Sequence, residues 1–173
     1  MKYQTKNNTA MRFFLMIIVG SLVFAGVASC VKDNDEEILP PKIELLTPWH
    51  CDTIYFDEPA TYRFRITDES NVGLGNFSMD IHNNFNHHSH GDHETCAMDP
   101  KKDPVHPYEE VWITSLPGNT HEYLLEMEIT MPLMKDQTHE HDQGDYHFHI
   151  YVTNAEGYQT FTSLDIKLLK RGD

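Results

Sequence analysis

The strongest constraint on the fold is an alternation of apolar and polar residues with a period of two. Tyr62, Phe64 and Ile66 alternate with Arg63, Arg65 and Thr67. Phe77, Met79 and Ile81 alternate with Ser78, Asp80 and His82, and Tyr146, Phe148, Ile150 and Val152 with His147, His149 and Tyr151. Successive side chains of a strand point to opposite faces, so each run reads as a strand with one buried face. Further strand-like runs cover 43–47, closed by Pro48, and 53–56, followed by Asp57-Glu58-Pro59 as a turn. Others cover 110–114, 124–131 and 159–168, the last after the turn residues Asn154-Ala155-Glu156-Gly157. No segment beyond the N-terminal 41 residues holds a 3.6-residue apolar period long enough for a helix. Seven to eight short strands parted by turn signals predict an all-β chain, an immunoglobulin-like antiparallel β-sandwich over 42–173. An insertion at 83–107 interrupts the spacing, and a loop of that length is usually functional or disordered.

The N-terminus obeys different rules. Lys2, Lys6 and Arg12 precede an apolar run over 13–28 that ends in Val27-Ala28-Ser29-Cys30. That run is shorter than the ~20 residues a bilayer-spanning helix needs. A basic start, a short apolar run and small residues before a cut describe a removed signal peptide, here 1–29. The small-small-Cys ending resembles a lipobox, which implies a lipid-modified Cys30. Residues 30–41 then form an acidic tether, with Lys32, Asp33, Asp35, Glu36 and Glu37 in close succession, too polar to bury a core. Its Lys-then-acidic start resembles the export signal of Bacteroidetes lipoproteins and implies display on the outer face of the bacterial outer membrane.

The formal charge is −14, and losing a leader with three basic and no acidic residues makes the mature chain more negative still. Such a surface disfavours nucleic acid and anionic lipid, since both are held by Lys and Arg. It attracts cations, and membrane attachment is left to the lipid. Cys51 and Cys96 remain after Cys30. In an exported chain they are expected to pair, a cross-link worth roughly 4 kcal/mol on the chain-entropy model. Zinc ligation by Cys96 is the rival reading.

Nine of the twelve histidines fall in two clusters: 82, 87, 88, 90 and 93, then 139, 141, 147 and 149. In an immunoglobulin-like sandwich the third strand lies antiparallel beside the sixth. That places His82 near His147, both on the face opposite the apolar set. Directly paired residues hold their Cβ atoms ~4.5–5.5 Å apart, within reach of one shared ion. His88 and His90 can fold back from the insertion, so His82, His88, His90 and His147 form the predicted metal set, with His87, His93 and His149 as additional candidates. Asp80 and Asp145 precede His82 and His147 by two residues and are expected to accept their second ring N–H. Imidazole ligands favour a divalent ion such as zinc, with copper or nickel as alternatives. His50, His106 and His121 read as ordinary surface residues.

The string Ile81-His82-Asn83-Asn84-Phe85-Asn86-His87-His88-Ser89-His90, with Gly144-Asp145-Tyr146-His147-Phe148 later, resembles a group of uncharacterised Bacteroidetes lipoproteins. These carry a His-rich domain of unknown function. The resemblance spans about 43–168 and implies a β-sandwich with His82, His88, His90 and His147 as shared histidines. It implies no activity.

His88-Ser89-His90-Gly91-Asp92-His93 also matches the H-x-H-x-D-H pattern of metallo-β-lactamase-like hydrolases. Those enzymes place it between a buried strand and a helix, and a motif counts only in its context. The match reads as a coincidence of a His-rich loop. Three functional expectations stand: metal binding without catalysis, a glycan- or protein-binding accessory module, and a zinc hydrolase with Asp92 or Glu94 as base. For the second, Trp49, Tyr108, Trp112 and Tyr151 are the candidate contact aromatics.

Overall fold

The computed structural model describes residues 38–70, 72–88 and 96–172. The predicted leader, Cys30 and the tether up to residue 37 lie outside the described residues, as do His90, Asp92, His93 and Glu94. Eight strands follow in order: β1 (Lys42–Thr47), β2 (Thr53–Tyr55), β3 (Pro59–Thr67), β4 (Leu74–Asn83), β5 (Glu110–Ser115), β6 (Glu122–Thr130), β7 (Gly144–Asn154) and β8 (Gln159–Leu169). No helix occurs among the described residues.

The strands form two sheets, ordered β1-β3-β6 and β2-β8-β7-β4-β5. All ladders are antiparallel except that of β2, which runs parallel to β8 at the sheet edge. This is the immunoglobulin-like sandwich that the alternation implied. The apolar parity of each strand fills the space between the sheets. Tyr62, Phe64 and Ile66 of β3 meet Phe77 and Met79 of β4 and Phe148 and Ile150 of β7 in one core, all fully buried. Tyr62 packs edge-on against Phe148 with ring centroids 5.4 Å apart, and Phe64 lies 4.9 Å from Phe77.

Two local readings change. Pro59 belongs to β3, paired with Thr130, rather than to the preceding turn. Proline is tolerated as the first residue of a strand, and the reversal is made earlier, by Asp57 at φ 60°. The insertion, in turn, is not a free excursion. The Asn84 amide donates to the Asp145 carbonyl, the Asp99 amide to the Asp145 carboxylate, and the Lys102 amide to the Phe85 carbonyl. Phe85 is buried against Tyr146. The described parts of the insertion thus close over the end of β7.

Candidate metal centre

The outer face of the five-stranded sheet carries the polar parity of three neighbouring strands. Register places His82 of β4 opposite His147 of β7, and His147 opposite Asp165 of β8. The next row runs Asp80, His149, Ser163. Strand alternation alone puts these six residues on one surface, because side chains two apart share a face. The sequence pairing of His82 with His147 is therefore found, with ring centroids 5.6 Å apart.

His88 enters from the turn after β4. Its Nε2 lies 3.4 Å from Nε2 of His82, and the two rings are nearly parallel. Each ring has its other nitrogen directed at an oxygen: Nδ1 of His82 lies 3.0 Å from Asp80 Oδ1, and Nδ1 of His88 contacts Asn86 Oδ1. A neutral imidazole carries one N–H and one lone pair. With Nδ1–H donated to Asp80 and to Asn86, both Nε2 atoms turn lone pairs toward one another. Two lone pairs in that position repel unless a proton or a metal cation lies between them. Their separation also matches the edge of a tetrahedron drawn with Zn–N bonds of 2.0–2.1 Å, about 3.3–3.4 Å. His149 borders the pair, its ring centroid 4.4 Å from that of His82 and its Nδ1 3.7 Å from Asp80 Oδ1. Asp80, His82 and His149 each offer one ligand atom within 4.8 Å of the others.

His147 occupies a different chemical position. It is 2% exposed, which corrects its reading as a residue of an open polar face. Its Nδ1 binds the Asp165 carboxylate and its Nε2 lies 3.0 Å from the His88 carbonyl oxygen. In this arrangement His147 holds the His88 backbone in place and turns neither nitrogen toward the His82–His88 pair. The expectation that Asp145 supports His147 is corrected as well. Asp145 is taken by Lys167 at 2.9 Å and by the Asp99 amide at 2.8 Å. Asp165, directly opposite His147, supplies the carboxylate instead. Burial lowers the Lys167 pKa, but the hydrogen bonds it donates to Asp99 and Asp145 more than offset it, and the ammonium titrates above its ordinary value.

His87 does not join the cluster: a left-handed backbone at φ 59° turns it away, and its Nε2 lies 2.8 Å from the Asp99 carbonyl oxygen. His139 and His141 lie apart from it too, His139 against Asp136 and His106, and His141 stacked near Phe56. His106 therefore has a histidine neighbour, contrary to its solitary reading, while His121 sits 3.7 Å from Asp68. Cys51 and Cys96 form a disulfide, so neither sulfur is a thiolate ligand in the oxidised chain. That cross-link carries His50 to the sheet, with Nε2 3.5 Å from Cys96 Sγ and 3.8 Å from Asp165 Oδ2. His50 and Asp165 are the two site residues that sequence reasoning missed. Asp165 alternates with Leu164 and Ile166, and His50 adjoins Cys51; both signals were present.

Of the candidate contact aromatics, Tyr108 is buried and Trp112 packs toward Phe148. Trp49 stays exposed, and Tyr151 lies 5.0 Å from the partly exposed Phe161 on the outer face.

Fold and site together define an immunoglobulin-like β-sandwich with a histidine- and aspartate-rich outer sheet face. The chain belongs to the family described as "Domain of unknown function (DUF4625)", whose model matches residues 28–169. No curated protein matches the chain. Among solved structures it is similar to the CARDB domain of PF1109 from Pyrococcus furiosus, in complex with di-metal ions, at 13% identity and a TM-score of 0.38. That match covers 76% of this chain and 96% of the other. It is also similar to the alkylpurine DNA glycosylase AlkC of Pseudomonas fluorescens, at 19% identity and a TM-score of 0.42, over 75% of this chain and 30% of that one. The sporulation control protein Spo0M of Bacillus subtilis matches at 9% identity and a TM-score of 0.40, over 78% and 51%.

Proposed function

We propose that the domain holds a divalent cation, zinc by the softness of its donors, on the outer face of the five-stranded sheet. His82 and His88 are the central ligands, with His149 beside them. Asp80 fixes the His82 tautomer, as carboxylates behind metal-bound imidazoles do. The observation that carries this reading is the pair of Nε2 atoms, 3.4 Å apart, whose rings are both turned by oxygen acceptors on the other nitrogen. His90 and His93, which lie outside the described residues, stay candidate further ligands on the sequence alone. The role is capture or retention of the ion rather than catalysis.

The test is zinc titration of the full chain by calorimetry, beside His82→Ala, His88→Ala and the distant His121→Ala. One equivalent should bind in the unaltered chain and in the His121 variant, and affinity should fall at least roughly tenfold in the other two. Equal binding in all four overturns the reading. Ester or amide hydrolysis that disappears with His82→Ala would make the protein a zinc hydrolase instead.

Cys30, the acidic tether and the family resemblance support a Bacteroidetes-type lipoprotein, anchored in the outer membrane by lipid and facing outward. Cys30→Ser should release the chain from membranes, and protease added to intact cells should remove it. Retention of the variant, or full protection in cells, removes the anchor or the outward orientation respectively.

A second reading has its own observation. Tyr151 and Phe161, with Val111 and Ile113 exposed on β5, leave an apolar strip on the same sheet face. A glycan or protein partner stacking there would make the ion a stiffener of the binding face. Phe161→Ala would then abolish that binding and leave zinc affinity unchanged.

A further inference from the structure

We infer that the Cys51–Cys96 cross-link is also a latent metal site, closed as a disulfide and opened by two-electron reduction to a Cys2His set. Three ligand atoms already lie together: those of His50, Cys51 and Cys96 fall within 4.8 Å of one another. Nε2 of His50 is 3.5 Å from Cys96 Sγ. With Zn–S near 2.3 Å and Zn–N near 2.05 Å, the S-to-N edge of a tetrahedral site is about 3.5–3.6 Å. Nε2 of His50 already lies at ligand distance, but its Nδ1 accepts the Asp165 amide N–H at 3.3 Å, so the ring must give up that hydrogen bond and carry its proton on Nδ1 while the sulfurs part to about 3.8 Å on the same geometry. Asp165 Oδ2, 3.8 Å from His50 Nε2, is an oxygen donor at hand for a fourth position.

Room for that parting exists. A cavity of about 160 Å³ lies against the disulfide, lined among others by Cys51, Cys96, Asn84, Asp145, Asp165 and Lys167. Asn84 is 1% exposed, and neither its side-chain nitrogen nor its side-chain oxygen has a hydrogen-bond partner among the described residues. A buried amide with both ends unsatisfied costs free energy. Its place in the lining sets one unsatisfied amide beside a cavity whose wall is otherwise mostly apolar, with space for a displaced thiol.

The chemistry balances with an external dithiol as reductant. Two electrons and two protons break the S–S bond, the dithiol leaves as its own disulfide, and a divalent ion then displaces the two thiol protons. Thiolates are soft ligands, so zinc, cadmium or cobalt are the expected occupants. The metal would then do what the disulfide does, pinning Cys96 of the insertion to the β1–β2 connection. The ligands differ from those proposed for the first site, so the two proposals fail separately.

The experiment places the full chain, carrying His82→Ala and His88→Ala to silence the first site, under a dithiol and titrates it with cobalt(II). Near-ultraviolet thiolate-to-cobalt charge transfer should appear at one equivalent, with a tetrahedral visible band. It should be absent without the dithiol. His50→Gln should keep both sulfurs and weaken binding at least roughly tenfold. Near-ultraviolet circular dichroism reports whether the reduced chain is folded. A folded reduced chain with no thiolate band overturns the inference, as does an unfolded one that metal does not restore. Undiminished binding in His50→Gln overturns the three-residue site.

Discussion

Asp165 of β8 binds Nδ1 of His147 directly across the β7–β8 ladder, while its second oxygen lies 3.8 Å from His50. One carboxylate thus joins the histidine that holds the insertion to the histidine that adjoins the disulfide. His147 in turn holds the His88 carbonyl oxygen at 3.0 Å, so the chain of contacts reaches the metal-facing pair.

Asp165→Asn removes the charge and keeps the shape. A hydrogen bond to a charged group that is largely buried is worth about 2 kcal/mol, and that is the expected loss in denaturant unfolding. Zinc affinity should fall with it, because His88 loses its backbone support, although Asp165 lies outside the first site. Unchanged stability together with unchanged zinc affinity would remove Asp165 from both roles.

How much of this was legible from sequence varies with the interaction. Strand alternation settled the sandwich and the shared face of Asp80, His82, His147 and His149. The immunoglobulin pattern, rather than alternation, put the strands that carry His82 and His147, here β4 and β7, side by side. What it could not reach depended on the backbone of the insertion. His87 is diverted by a left-handed φ, and Asp145 is drawn off by the Asp99 amide and Lys167. Neither event has a periodic signal. Asp165 required the β7–β8 register, and His50 required following the disulfide to its neighbour.

Alkaline unfolding should be driven by three core tyrosines. Tyr62, Tyr108 and Tyr146 are almost fully buried, and burial pushes each phenol well above its ordinary pKa. Contact with Glu110 adds to the shift of Tyr108. A folded-state pKa above the unfolded one leaves their contribution intact below pH about 10 and removes it as pH rises beyond that value. Stability should then fall by about 1.4 kcal/mol per pH unit for each tyrosine that stays protonated in the fold. Phenolate absorbance for these three should appear together with loss of near-ultraviolet dichroism. Their ionisation in a chain that remains folded contradicts the prediction.

Gly144 opens β7 just before Asp145 and His147, at φ 135°, a conformation that side chains rarely adopt. An added Cβ would also come within 3.2 Å of Phe85 Cε1. Gly144→Ala should cost about 1–2 kcal/mol through backbone strain and the displaced ring. The loss should be visible as a lower Tm with the disulfide intact. Gly157→Ala is the informative comparison. Its φ is also positive, at 87°, but a Cβ there meets no described atom within 4 Å, so the difference between the two variants reports the contacts with Phe85, Lys102 and Asp99 together with the difference in backbone strain between φ 135° and φ 87°.

Lys167 ties the insertion to the sheet, with its ammonium 2.6 Å from Asp99 and 2.9 Å from Asp145. Lys167→Met retains the apolar stem and deletes the charge. Asp145, 6% exposed, would keep its charge with only the Asp99 amide and none of its cation. Removing one partner of a buried pair costs more than the pair contributes, because the other charge stays desolvated. A loss of about 2 kcal/mol is expected, below the fully buried limit because Lys167 keeps some solvent. The effect should be local before it is global: the Asp99 amide should exchange its proton faster, and the insertion should become cleavable by protease at concentrations that spare the unaltered chain. Reducing agent should add to the cleavage, since Cys96 is a further point at which the insertion is fastened. If the variant resists protease as well as the unaltered chain does, the ion pairs do not hold the insertion, and the disulfide with the backbone hydrogen bonds of Asn84, Asp99 and Lys102 must.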